Sequence, residues 1–209
     1  MIIKICGIKN QDTLSFCEKN NVNYFGMIFY KNSPRNISFE SAKELQNMSK
    51  KFKINGVGVF VNESVNNLKQ YINYLGLKFI QLHGEEDNNY IKEIKKLNLK
   101  VIKKISINDE KDIDNIDNFN DADFFLFDYK PKKGELPGGN AKSFNWNIIK
   151  NIKINKPWFV SGGINLDNIN FLKTNIKPFG IDLSSGVEKE LGIKDNQIIN
   201  NFIDKVKNA

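Results

Sequence analysis

The chain has 209 residues, 40% of them hydrophobic, which is enough for one substantial core, and we expect a single domain over residues 1–209. Its net charge of +7 comes from lysines spread among acidic residues, with no basic run or recognition motif, so nucleic acid is not expected as a partner. No apolar stretch reaches the ~18 residues that cross a bilayer, and the N-terminus lacks a signal-peptide pattern. The two cysteines, Cys6 and Cys17, have no metal-ligand spacing, so we predict reduced thiols, a cytoplasmic location and no membrane partner.

Eight short apolar segments recur at nearly regular intervals and predict eight strands. In chain order they are Ile2–Cys6, Tyr24–Phe29, Ile54–Phe60, Phe79–Leu82, Val101–Ile105, Phe124–Phe127, Trp158–Val160 and Ile181–Leu183. Their nearly continuous apolar character is typical of strands that are covered on both faces, as in a parallel sheet.

Stretches with helical spacing of apolar residues separate these strands. Helices are expected over Asp12–Asn20, Phe39–Met48 with Ser38 as its cap, Ser64–Leu75, Tyr90–Leu97, Asn165–Thr174 and Asp195–Val206, and Asp109–Phe119 predicts a short helix or a turn. Eight alternating strand–helix units predict a (β/α)8 barrel, the TIM barrel of the α/β class, with little length left for insertions.

Two glycine-bearing breaks, at 161–163 and 184–186, follow the last two predicted strands. Glycine lets the backbone approach an oxyanion, and the N–H groups of the next turn can donate to it. The usual phosphate site of a (β/α)8 barrel lies after these two strands. The sequence therefore predicts a small phosphorylated substrate held by Gly162, Gly163, Ser185 and Gly186.

Catalytic residues of such barrels stand where strands end and the following loops begin. Cys6 ends the first strand and could be a base or nucleophile if positive potential lowers the pKa of its thiol, or a small buried hydrophobe. Asp128 ends the sixth strand and could be a general acid held protonated by burial, or a loop acid or helix cap. Cys17 lies on a helix face beside Leu14 and is expected to be structural.

Three further polar residues stand near strand ends. Arg35, a rare arginine in a lysine-rich chain, offers a planar fork that can bind a carboxylate bidentately, or is a surface charge. His83, which lacks carboxylate or cysteine company, is expected to line the pocket rather than bind a metal. Asp182 is expected to hold a loop through backbone hydrogen bonds. The glycine-rich loop Lys130–Lys142 could clasp a phosphate or close over a substrate.

No metal-binding or nucleotide-binding motif occurs, so we expect neither a metal nor a cofactor. Two other functions stay open at this point. One is a different phosphate-binding barrel, such as a pentose-phosphate epimerase, against which the missing acid cluster counts. The other is a binding protein that keeps the barrel without catalysis, which would need neither Cys6 nor Asp128. The oligomeric state is expected to be a monomer or a homodimer.

Short motifs along the whole chain resemble the phosphoribosylanthranilate isomerase family in their order and spacing. They are KICG at 4–7, SPR at 33–35, GVFVN at 58–62, QLHG at 81–84, FD at 127–128, GGNAKSFNW at 138–146, SGGIN at 161–165, DLSSGVE at 182–188 and GIKD at 192–195. The resemblance implies an Amadori rearrangement in tryptophan biosynthesis that uses no cofactor or metal.

The same resemblance implies residue roles. Cys6 would be the general base, Asp128 the general acid and Arg35 the partner of the anthranilate carboxylate, with the two glycine-bearing breaks as the phosphate site. The chain departs from the family at Ala141, where a glycine is usual, and at Asn145, where an aspartate is usual. We expect Ala141 to stiffen its loop if its backbone avoids positive φ, and Asn145 to keep a capping oxygen.

Overall fold

Eight parallel strands close into a barrel in sequence order, and helices pack around it. The computed structural model describes residues 1–207; residues 208 and 209 of the predicted domain lie outside the described residues. The strands are β1 (Ile2–Cys6), β2 (Tyr24–Phe29), β3 (Asn55–Phe60), β4 (Phe79–Leu82), β5 (Lys100–Ile107), β6 (Phe124–Tyr129), β7 (Trp158–Val160) and β8 (Gly180–Leu183). The predicted (β/α)8 barrel is therefore confirmed.

The connections between strands are less regular than the predicted alternation. The α-helices are α1 (Gln11–Lys19), α2 (Phe39–Ser49), α3 (Val65–Leu75), α4 (Asn88–Lys95), α5 (Ile169–Phe171) and α6 (Asn196–Lys207). The connections after β5 and β6 contain 3-10 helices instead, at Glu110–Phe119 and Trp146–Ile149, and α5 continues as a π-helical turn over Leu172–Ile176. Short 3-10 segments suffice there because the strands, rather than the connections, define the closed sheet.

Local signals set the ends of the regular helices. The side chain of Ser38 accepts a hydrogen bond from the Ser41 N–H at the start of α2, as predicted. Gly76 ends α3 in the left-handed conformation, with φ of 67°, which glycine adopts without steric cost. Between these ends, Leu68 and Ile72 turn the apolar face of α3 towards the core.

The barrel interior is filled with side chains at its amino-terminal half. A cluster of Val57, Ile102, Leu126 and Phe159, contributed by four different strands, lies apart from the larger core between strands and helices. The ring of Tyr24 packs edge-on against Phe159, with the ring centroids 6.0 Å apart. This packing closes one end of the barrel and leaves polar residues at the other.

An antiparallel hairpin that the sequence analysis did not predict follows β8. Its strands are β9 (Glu188–Glu190) and β10 (Ile193–Lys194), which are short and rich in charged residues and so lack a strand-like apolar pattern. The hairpin carries Glu188 and Lys194 to the carboxyl end of the barrel. Among residues 1–207, no helix combines the length and apolar character that a membrane crossing needs.

A buried ion pair ties the loop after β4 to β5. The Lys103 ammonium lies 3.0 Å from Oε2 of Glu86, and both side chains are 2% exposed. The same carboxylate accepts hydrogen bonds from the N–H groups of Asn62 and Gly84. Glu86 thus accepts from three donors at once, the Lys103 ammonium among them.

We expect Glu86→Ala to lower the free energy of unfolding by about 3–5 kcal/mol, because it leaves the buried Lys103 ammonium unpaired. The matched control is Glu93→Ala, which breaks the exposed pair with Lys69 and is expected to cost at most about 1 kcal/mol. Urea titration of both variants measures the difference. Equal small losses would contradict a structural role for Glu86.

Candidate active site

Every site residue proposed from the sequence lines one of two adjoining cavities at the carboxyl ends of the strands. The larger cavity, of about 530 Å³, is lined by Cys6, Arg35, His83, Asp128 and Asp182. The smaller, of about 390 Å³, is lined by Gly162, Gly163, Ser185 and Gly186. Asp128 and Asp182 line both cavities, so the two form one continuous site.

The loop Lys130–Lys142 lies over this site. Leu136 and Pro137 line the larger cavity, whereas Gly138 and Gly139 line both. The Lys104 ammonium donates a hydrogen bond of 3.2 Å to the carbonyl of Pro137, and this contact fixes the loop to β5. The loop thus borders both the smaller cavity and the mouth of the larger one.

Cys6 is a buried thiol at the end of β1, and it is only 6% exposed. Strand β2 passes so close that a Cβ at Gly26 would lie 2.7 Å from Sγ of Cys6. Burial raises the pKa of Cys6; the charge of Lys4 opposes that rise, Asp182 adds to it, and Lys194 opposes it. The condition that positive potential lowers this pKa is therefore not met, and the free protein holds Cys6 as a thiol at neutral pH.

Asp182 forms a buried ion pair with Lys4 beneath Cys6. The Lys4 ammonium lies 2.7 Å from Oδ2 of Asp182, with side chains 1% and 4% exposed. Asp182 was expected to bind backbone groups of a loop, and that expectation is wrong because β1 and β8 are adjacent and place the two residues side by side. Lys4 was missed, although its place two residues before Cys6 puts it on the same face of β1.

Asp128, at the end of β6, lies beside the ring of His83. Nε2 of His83 is 3.4 Å from Oδ2 of Asp128, and Oδ1 of Asp128 accepts a hydrogen bond from the Tyr129 N–H. Burial lowers the pKa of His83, Asp128 opposes that effect, and the charge of Lys104 adds to it, so the ring is neutral. The expectation that no carboxylate lies near His83 is thus wrong, because the fold brings the carboxyl group of Asp128, which is distant in sequence, to 3.4 Å from the His83 ring.

Arg35, the only arginine of the chain, is 2% exposed and is held by Glu188 of the hairpin. Its Nε donates to Oε1 of Glu188 at 2.7 Å and its Nη2 to Oε2 at 2.8 Å. One edge of the guanidinium fork is therefore occupied, which leaves Nη1, against Gly139, for a ligand. A Cβ at Gly139 would lie 2.3 Å from Nη1, so the loop touches the guanidinium closely.

Glu188 also binds a second buried cation, Lys194, which lies on the other strand of the hairpin. The Lys194 ammonium lies 2.6 Å from Oε1 of Glu188 and donates to the carbonyl of Ser184. Burial acts against ionisation of Glu188, but the hydrogen bond from Arg35 and the charge of Lys194 outweigh it and lower its pKa to about 2. Sequence reasoning missed Glu188, although it ends the DLSSGVE segment that also contains Asp182.

The smaller cavity is built from backbone. Within residues 1–207, the N–H groups of Gly162 and Gly163 donate to no protein acceptor, and both residues have positive φ. A Cβ at Gly163 would lie 2.7 Å from the Ser143 nitrogen, and one at Gly186 would lie 2.1 Å from the Ile164 carbonyl oxygen. Only glycine fits at these two positions, and the free N–H groups suit an oxyanion.

The two departures from the family pattern behave differently. Ala141 has φ of 55°, so its backbone does not avoid the left-handed region, and the condition for a stiffer loop is not met. Asn145 keeps its capping oxygen, which accepts a hydrogen bond from the Asn147 N–H at the start of a 3-10 helix.

The fold and the paired cavities define the class of protein: a (β/α)8-barrel enzyme whose ligand site lies at the carboxyl ends of its strands. Residues 3–205 match the family model described as N-(5'phosphoribosyl)anthranilate (PRA) isomerase. The chain thus belongs to the phosphoribosylanthranilate isomerase family, and it is an isomerase of tryptophan biosynthesis.

Individual relatives agree with this assignment. The N-(5'-phosphoribosyl)anthranilate isomerase of Clostridium acetobutylicum is 37% identical over 207 residues, which cover 98% of this chain and 97% of the relative. The crystal structure of phosphoribosyl anthranilate isomerase from Thermotoga maritima superposes with a TM-score of 0.89 at 32% identity, over 100% of both chains. A structure of the isomerase in complex with reduced 1-(o-carboxyphenylamino)-1-deoxyribulose 5-phosphate superposes with a TM-score of 0.85 at 30% identity, again over 100% of both chains.

The raised pKa of Cys6 predicts slow alkylation at neutral pH. In a Cys17→Ala background, we expect the rate of Cys6 modification by iodoacetamide to keep rising above pH 9, because only the thiolate reacts. Lys4→Met removes a charge that favours the thiolate and is expected to move the curve to still higher pH. A rate that levels off below pH 8 would contradict the environment described for Cys6.

The lowered pKa of Glu188 predicts pH-dependent stability. Its folded-state pKa of about 2 lies below the ordinary value of 4.5, so its contribution is present above about pH 4.5 and is lost as the pH falls towards 2. Glu188→Gln is expected to lower the free energy of unfolding by on the order of 3 kcal/mol at pH 6 and by progressively less below pH 4.5.

Urea titrations between pH 3 and 6 measure this difference. The control is Glu40→Gln, at an exposed position in α2, which is expected to match the parent at each pH. A loss from Glu188→Gln that stays constant down to pH 3 would rule out the ion pair as its cause.

Proposed function

We propose that this chain converts N-(5-phosphoribosyl)anthranilate into 1-(2-carboxyphenylamino)-1-deoxyribulose 5-phosphate, with Cys6 as general base and Asp128 as general acid. The observation that carries the proposal is that a thiol and a carboxyl group, on β1 and β6, line one cavity that continues into a second cavity with free backbone N–H groups. Two strands, β7 and β8, separate them along the shorter path around the barrel. They can therefore reach a bound sugar from different sides.

The reaction needs one proton donor and one proton acceptor. Asp128 protonates the ring oxygen of the ribose as the bond between that oxygen and C1' breaks, and the anthranilate nitrogen supplies the electron pair that forms an iminium ion. The iminium acidifies the proton on C2', which the Cys6 thiolate removes. The resulting enolamine takes a proton at C1' and loses its hydroxyl proton to give the ketone, which conserves all atoms.

Charge around Cys6 supports its role as base. The free protein holds the thiol because burial raises its pKa, but Lys4 and Lys194 act in the opposite direction. The positive iminium adds a further charge of the same sign beside Cys6, so the thiol releases its proton to solvent and the thiolate is present at the step that needs it. General acid–base assistance of this kind is typically worth about 10²–10⁴-fold per group.

The two ends of the substrate have separate binding groups. The phosphate would bind in the smaller cavity, to the free N–H groups of Gly162 and Gly163 and to the turn at Ser185 and Gly186. The anthranilate carboxylate is placed on Nη1 of Arg35, since Glu188 holds the other edge of that fork. His83 and Asp182 line the cavity between these ends.

The remaining parts of the proposal concern the setting of the enzyme. The substrate is a small phosphorylated molecule, no metal or cofactor takes part, and the isomerase domain spans residues 1–209. A cytoplasmic location is supported by the free thiols of Cys6 and Cys17. The assembly is a monomer or a homodimer, which size-exclusion chromatography with light scattering distinguishes.

We expect Cys6→Ala and Asp128→Asn each to lower kcat/KM by about 10²–10⁴-fold, because each removes a proton-transfer group. Loss of phosphoribosylanthranilate fluorescence measures turnover. Cys17→Ala is the matched control: Cys17 is buried in α1, away from both cavities, and its loss is expected to leave kcat/KM near the parent value.

Rescue of a tryptophan auxotroph that lacks this isomerase tests the function in cells. The parent gene is expected to restore growth, and the Cys6→Ala, Asp128→Asn double variant is not. Substrate binding without turnover by the parent would instead support a binding protein. Full activity of the double variant would reject the assigned roles.

A further inference from the structure

Gln81 is a buried polar residue of the larger cavity that the proposed chemistry does not use. It lies on β4 between Val59 of β3 and Ile102 of β5 and is 1% exposed. His83 directly follows β4, two residues after Gln81, and both side chains line the larger cavity. Nε2 of Gln81 lies 2.9 Å from Nδ1 of His83.

Hydrogen-bond roles at this contact fix the position of a proton. An amide nitrogen can only donate, so Nδ1 of His83 must accept and carries no hydrogen. The ring is neutral, so its single hydrogen is on Nε2, the nitrogen 3.4 Å from Oδ2 of Asp128. Once Asp128 has given up its proton, a donor facing its carboxylate is the favourable arrangement at that end, so both ends of the ring then select the same tautomer.

The other orientation of the amide is less favourable. Oε1 of Gln81 is buried and has no hydrogen-bond partner among residues 1–207. If the amide were reversed, two N–H donors would occupy that unpartnered position, and the ring would turn a lone pair towards Asp128. A buried unpaired donor is the costlier defect, so the orientation with Nε2 towards His83 is preferred.

We propose that Gln81 is a positioning residue for the general acid: it holds His83 in the tautomer that carries its hydrogen on Nε2, so that the ring directs a donor at Asp128. The proposal rests on the proposed function for the role of Asp128. As Asp128 gives its proton to the ribose oxygen, negative charge develops on its carboxylate. The Tyr129 N–H already donates to Oδ1 of that carboxylate, and the His83 Nε2–H, 3.4 Å from Oδ2, moves closer as the charge develops, so both groups stabilise it.

The charged groups around the ring keep this arrangement stable. Asp128 on β6 and Asp182 on β8 favour the protonated ring, whereas Lys104 on β5 disfavours it. Burial outweighs the two carboxylates and keeps the ring neutral at neutral pH. The choice between the two neutral tautomers therefore falls to Gln81 and Asp128.

The chain has a single histidine, so tautomer measurement needs no assignment. Two-bond ¹H–¹⁵N correlation spectra of tag-free protein with ¹⁵N-labelled histidine report which ring nitrogen is protonated. We expect Nε2 protonated and Nδ1 unprotonated in the parent at pH 7. A parent with its hydrogen on Nδ1 would overturn the proposal.

Variants link the tautomer to catalysis. Gln81→Met removes the donor with little change in size, and it is expected to lose the clear Nε2–H preference and to lower kcat about 10-fold with KM changed less than about 2-fold. Gln81→Glu turns the donor into an acceptor and is expected to protonate Nδ1. The control is Gln46→Met, since Gln46 is also a buried glutamine with an unpartnered Oε1 but lies on α2, outside both site cavities.

The outcomes separate this proposal from the proposed function. Parent kinetics retained in Gln81→Met, or a wild-type tautomer retained in Gln81→Glu, would reject the role of Gln81. If Gln81→Met fails to fold, as judged by circular dichroism, the spectra of the parent and of Gln81→Glu still decide the tautomer. A parent that shows no turnover would reject the proposed function, whereas the tautomer is measured on free protein without substrate.

Discussion

The contact between Lys4 and Asp182 joins the closure of the barrel to the environment of the Cys6 thiol. The two residues are register partners on β1 and β8, the strands that complete the ring, and their charged groups lie 2.7 Å apart. The pair is buried, so the attraction is strong and neither charge can be removed without leaving the other unpaired. Cys6 stands directly above it, and its ionisation feels both charges in opposite directions.

Each polar group of the site has a buried partner that restricts it. Asp182 has Lys4, Asp128 has His83, and Arg35 has Glu188 across 153 residues of sequence. The two members of each pair come from different strands, strand ends or the hairpin, so the closed sheet holds each pair in place. Groups that are fixed before the substrate arrives need no reorganisation during the reaction, which is the main way a site of this kind stabilises developing charge.

Sequence reasoning found the strands and the residues at their ends because both depend on local patterns, such as the apolar runs and the glycine breaks. It could not find the partners. Glu188 belongs to a short charged hairpin without strand periodicity, and the pairing of Lys4 with Asp182 depends on closure between the first and last strands. The pKa of Cys6 depends on burial, which no motif encodes, and Ala141 adopts a left-handed conformation that its residue type disfavours.

A crystal structure of this protein with reduced 1-(2-carboxyphenylamino)-1-deoxyribulose 5-phosphate, an analogue of the product, tests the arrangement most directly. Sγ of Cys6 should lie within contact distance of C2', Asp128 should face the ribose oxygen from another side, and the phosphate should occupy the pocket at Gly163 and Gly186. A ligand bound with its phosphate elsewhere, or with Cys6 and Asp128 both remote from the ribose carbons, would show that these two groups do not carry out the proton transfers.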